Sequence, residues 1–221
     1  MNEFIDMFSG SDPSNVSTSV QLLLLLTVLS LAPSILVLMT SFTRIVIVLS
    51  FVRTSLATQQ TPPNQVLIGL ALFLTFFIMA PTFQEVYDEG LQPLFNEEIT
   101  LDEAYDRVSA PMKDFMADHT RQKDLQLFMD YSGMEQPESV EAIPLTTLVP
   151  AFAISELKTA FQMGFMIFVP FLIVDMAVAS ILMSMGMMML PPVMISLPFK
   201  ILLFVLVDGW YLITQSLLQG F

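Results

Sequence analysis

Three ionisable residues, Asp175, Lys200 and Asp208, interrupt the apolar carboxyl-terminal part of this chain. Charge inside a segment of membrane character is costly, so each needs a partner, a wet cavity or a task. The chemistry open to them is ion pairing, proton relay through Asp175, or coupling to a transported ion. Pairing ranks above proton relay. Asp175 lies 15 residues before Leu190, Asp208 lies 16 after Pro192, and Lys200 only 8 after Pro192. In a simple antiparallel hairpin Asp175 faces Asp208, with Lys200 roughly 10 Å nearer the apex. This spacing favours an Asp175–Lys200 pair between neighbouring copies over one within a hairpin. The plainer alternative is that each is solvated separately in a groove.

The apex itself is Gly186-Met187-Met188-Met189-Leu190-Pro191-Pro192. Methionine is unbranched and polarizable and repacks against many partners. The two prolines cannot continue a regular helix, so the chain bends there. Three thioether side chains at such a bend can close a passage and still yield to a moving chain. The plain alternative is a packed turn between two transmembrane helices. Glu156 and Lys158 stand just before another long apolar segment, either as an intersubunit contact or as a solvated helix end. His119 has no second ligand at helical spacing and cysteine is absent, so no metal, disulfide or cofactor is expected. Glu97, Glu98, Asp102, Glu103 and Asp106 lack the glycine turn of a calcium loop and read as a solvated face. Hydrolase, phosphate-loop and zinc-protease motifs are missing, so catalysis is not expected.

The elements that must position these residues are helical and apolar. Hydrophobic residues make up 54% of the chain and charged ones 13%, with mean hydropathy +0.70. That composition is typical of an integral membrane protein, and a net charge of −13 argues against nucleic acid as a partner. The reading is all-α: membrane-type helical hairpins with a small helical insert. Residues 1–19 form a short acidic segment, and no basic residue precedes Arg44, so a cleaved signal peptide is not expected. Residues 20–83 hold the first apolar helices. Val20–Met39 is long enough to span, Ile45–Val52 reads as a packed or interfacial helix, and Val66–Phe83 is a second near-spanning run closed by Pro81. Residues 84–147 form an acidic insert with 15 acidic and 4 basic residues. In it, Thr100 and Glu103 predict a capping box for a helix over 101–108, and Ser109 and Pro111 start a second one ending near Gly133. Residues 148–221 form a hairpin of two long segments, 160–190 and 193–218.

Basic residues bias sidedness. Arg44 and Arg53 flank one short run and predict a cytoplasmic loop, which places the amino terminus and the insert outside and the methionine apex inside.

Several runs resemble one family. They are Phe42 to Arg53, Thr61 to Leu70, Pro150 to Lys158, Pro170 to Asp175, and Met185 to Pro192. Together they are similar to the FliP/SctR family of type III secretion export-gate subunits, over nearly all of both apolar halves. The resemblance implies several copies of the chain, pentamer-like, assembled with FliQ and FliR into a helical, conical pore in the cell membrane at the flagellar basal body. It implies work with FlhA and FlhB and passage of unfolded flagellar subunits. It also implies that Met187, Met188 and Met189 form a gasket at a constriction, and that Asp175 and Lys200 help subunits pair. In such assemblies apolar helices can be buried by neighbours instead of lipid. An ion-coupled transporter or channel acting alone, and a non-pore assembly scaffold, are the competing readings.

Overall fold

The computed structural model describes residues 26–27, 30–58, 60–134, 137, 139–187 and 189–221. The acidic segment 1–19 lies outside the described residues. Among those described, every regular element is a helix. The chain divides into two compact units, Met1–Val37 and Leu38–Phe221. In the first, residues 30–37 are helical and mostly exposed.

The second unit is organised around α1, Phe42–Ser55. Its Ile45, Val48, Leu49 and Val52 are fully buried at the three- and four-residue steps that line one helix face. They meet Leu67 and Ala71 of α2 (Asn64–Glu85), and Ala160 and Phe171 of α6 (Leu145–Ser184). Phe204 of α7 (Pro192–Leu206) and Ile213 and Leu217 of α8 (Gly209–Gln219) complete the cluster. The short helix is thus a packed core element. Gly164 admits the close approach of α1 to α6, because a Cβ there would lie 2.4 Å from the Phe51 ring.

Prolines mislead about helix ends here. α2 runs through Pro81, and the helical path continues through a π-helical turn (Val86–Leu91) into α3 (Gln92–Phe95). The result is a continuous stretch of 32 residues, Asn64–Phe95. α6 runs through Pro150 and Pro170 for 40 residues. Each proline removes one N–H, but neighbouring helices keep apolar prolines tolerable in spans of this kind. The insert shows the same. α4 is one helix, Leu101–Asp118, with Pro111 inside it, where two helices meeting near Ser109 were expected. Its start is as expected: Thr100 accepts from Glu103 N–H and the Glu103 side chain accepts from Thr100 N–H. The break comes later, where Thr120 Oγ1 donates to the Met116 carbonyl at 2.6 Å and competes with the helical ladder. α5, Gln122–Ser132, then closes at Gly133. Met116 packs with Ile143, Leu148 and Phe152, which fastens the insert to the start of α6.

The carboxyl-terminal segment is also broken. α7 and α8 bend by 61° at Asp208, which has φ +51°, a left-handed conformation that aspartate tolerates better than most residues.

Candidate functional site

The hairpin apex is built from a helix stop and a helix start. α6 ends at Ser184, Met185 caps it, and Gly186 takes φ +74°. Gly186 N–H donates to the Met183 carbonyl and Met187 N–H to the Leu182 carbonyl, both at 3.0 Å. This Schellman arrangement requires a left-handed residue after the cap, which glycine supplies without a Cβ clash. Pro191 precedes α7 and Pro192 opens it, where the missing N–H is not needed. Met187 is 44% and Met189 98% exposed, and Leu190 is exposed too. Met188 lies outside the described residues. The described apex side chains therefore find little cover in their own chain.

Asp175 and Lys200 pair inside one hairpin, which corrects the expectation that they meet between copies. Lys200 Nζ lies 2.6 Å from Asp175 Oδ2. The residues between Ser184 and Pro192 form the turn and belong to neither helix. Measured from the helix ends, Asp175 stands nine residues before Ser184 and Lys200 eight after Pro192, so the two lie level. Lys200 is 2% exposed. It also donates to the Ser55 carbonyl at 3.1 Å, supplying a donor to the last turn of α1. Ser196 Oγ donates to Asp175 Oδ1 at 2.5 Å. Asp208 lies eight residues beyond Lys200, exposed at the break before α8.

A second charged cluster marks the opposite end of α1. Glu156, fully buried, receives both Nε and Nη2 of Arg44, the former at 2.8 Å. This bidentate geometry matches the guanidinium fork to the carboxylate. Arg44 Nη1 donates to the Gly220 carbonyl at 2.7 Å, and the guanidinium lies 3.7 Å from the Phe221 ring centroid. Phe221 also packs against Phe115 and His119 of the insert. Glu156 is thus committed within its own chain, a second correction to the intersubunit reading, whereas Lys158 is exposed. Beside Glu156, Ser155 Oγ donates to Asp124 Oδ2 at 2.6 Å, and Arg121 Nε donates to the same oxygen at 2.8 Å. Burial pushes the Asp124 carboxyl up, but these hydrogen bonds and the charges of Arg121 and Lys123 hold it below the usual aspartate value.

Arg44 and Arg53 do not share one loop. Arg44 lies with Glu156 and the insert, whereas Arg53 bonds Asn64 and the Pro62 carbonyl at the far end of α1. They are nine residues apart on one helix, roughly 13 Å along its axis. α1 therefore starts at the insert end and runs parallel to α6. The Arg44–Glu156 bond joins residues 112 apart and has no local sequence signal; the only hint was that both are charges bordering apolar runs.

Among the described residues, two helices are long and apolar enough to cross a membrane, and up to four spans result if each bent pair counts as one. With the Asp175–Lys200 and Arg44–Glu156 charges neutralised in pairs, these apolar helices fit a helical membrane protein. The chain belongs to the FliP family, whose model matches residues 25–217. It is 76% identical to the flagellar biosynthetic protein FliP of Bacillus subtilis over 221 residues, all of both chains. The FliP of Caulobacter vibrioides is 55% identical over 202 residues, 91% of this chain and 76% of that one. The FliP of Aquifex aeolicus is 52% identical over 209 residues, 94% of this chain and 87% of that one.

Proposed function

We propose that this chain is a core subunit of the flagellar type III protein export gate in the cell membrane, and that its methionine apex closes the passage used by unfolded flagellar subunits. The observation that carries the reading is the apex: apolar, soft side chains held on a fixed turn, and left exposed by their own chain. Copies arranged about an axis would bring Met187, Met188 and Met189 together in a constriction. Hydrophobic constrictions gate by dewetting, and thioethers yield to a passing chain without sequence preference.

In this reading several copies assemble with FliQ and FliR, work beside FlhA and FlhB, and are covered by one another and by lipid. Exposed Lys158 remains a candidate intersubunit contact. The insert faces outward and the apex faces the cytoplasm. Arg53 and the Asp175-paired Lys200 are the basic residues near the apex end, and a bias of basic residues marks the cytoplasmic side. A lone transporter is disfavoured, because two of its three coupling residues are occupied with each other.

The test is the triple substitution of Met187, Met188 and Met189 by alanine in the assembled complex. The expected result is a marked rise in small-ion conductance with export retained. Unchanged conductance in a complex of normal composition would refute the gasket.

A further inference from the structure

We propose that the hairpin apex is a thioether site for a soft monovalent cation, copper(I) or silver(I). Met183, Met185, Met187, Met189 and Met194 fall within twelve residues, and all five are exposed. The turn brings the backbone of three of them together. Its hydrogen bonds tie Gly186 to Met183 and Met187 to Leu182, so three of the methionines leave one folded turn. Met194 N–H bonds the Pro191 carbonyl at 3.1 Å, which sets Met194 in the first turn of the antiparallel helix beside them.

Ligand chemistry then selects the ion. Thioether sulfur is neutral, polarizable and a poor ligand for hard cations, which favour oxygen. Soft copper(I) and its heavier congener silver(I) favour sulfur. Oxygen competition at the apex is weak, because Asp175, the acidic residue of the hairpin nearest the turn, is held by Lys200 and Ser196. Nor does net positive charge repel a cation, since Lys200 is neutralised by the same carboxylate. The chain has no cysteine and a single histidine, and His119 is engaged with Phe115 and Phe221 at the insert. Soft-cation binding by this chain therefore falls to its thioethers. The inference does not depend on the apex closing a passage, because binding is read directly.

The experiment titrates the full-length protein in detergent with silver nitrate, and with copper(I) against a chromophoric copper(I) chelator. X-ray absorption then reports the donor atoms. The expected result is about one ion per chain in a shell of sulfur only. Replacing Met183, Met185, Met187, Met188, Met189 and Met194 together by leucine, a near-isosteric change, weakens binding at least roughly tenfold. Replacing Met166 and Met176, which are exposed elsewhere on α6, leaves it unchanged. Equal affinity in the apex variant would overturn the proposal. If that variant loses its helical signal, the milder pair Met187→Leu and Met189→Leu decides: weakened binding with a wild-type sulfur shell supports the site, and equal affinity or an oxygen or nitrogen shell overturns it.

Discussion

Removing the ammonium at position 200 tests whether the hairpin is held by its internal ion pair. Lys200→Met keeps the length of the side chain and removes the charge. It leaves the Asp175 carboxylate with Ser196 as its remaining partner and strips the donor from the Ser55 carbonyl. Breaking a buried pair from one side costs about 3–5 kcal/mol, because the partner stays charged and unmet. Asp175→Leu alone carries a similar cost. In the double variant no charge is stranded, and the main residue is the orphaned Ser55 carbonyl, worth about 1–3 kcal/mol. The two singles together then exceed the double by at least roughly 3 kcal/mol. A swap of the two charges behaves differently. It places a carboxylate against the Ser55 carbonyl, so the reversed pair is expected to stay well below wild type. The assay is reversible unfolding of the full-length protein in mixed micelles, fitted for all four members of the cycle. Additive single costs, or full recovery by the reversed pair, would refute this account.

Two further outcomes follow from the packing. Gly164→Ala is expected to destabilise the protein by about 1–3 kcal/mol, because the new methyl meets Phe51 from Cβ outward, 2.4 to 3.0 Å away; the same unfolding assay checks it, and a paired Phe51→Ala should restore part of the loss. The depressed Asp124 carboxyl gives a pH effect with a fixed sign. Its contribution is fully present above the ordinary aspartate pKa, about 3.9, and is lost as pH falls below that through the lower folded value. Hydrogen exchange of α5 followed from pH 6 to pH 2 should show loosening at the acidic end, and Asp124→Asn should flatten the response.

Local signals were readable where they were self-contained. The capping box at Thr100 and Glu103, the stop at Gly133, the Pro191–Pro192 restart and the buried face of α1 all follow from a few neighbouring residues. Proline was the poorest guide. Pro81, Pro111, Pro150 and Pro170 each sit inside a helix, because tertiary packing outweighs one missing hydrogen bond. Long-range charge partners were not readable at all. Glu156 reads from the sequence as an intersubunit contact or a solvated helix end, because its partner Arg44 lies 112 residues away, and Asp175 and Lys200 read as mismatched in depth because the turn residues belong to neither helix. The same parallel placement of α1 separated Arg44 from Arg53 and undid the loop that sequence order suggested.

A cation anchors α1 at each extremity: its own Arg44 to Glu156 near the start, and Lys200 of α7 to the Ser55 carbonyl at the finish. The helix behaves as a strut pinned at both ends, so the hairpin cannot slide along it without unfastening a buried bond. Any displacement of the apex is then confined to the overhang past Asp175, a cantilever of nine residues and roughly 13 Å. A load on the methionines meets that overhang first and the Lys200 pin next, before it runs on along the same helix toward the insert.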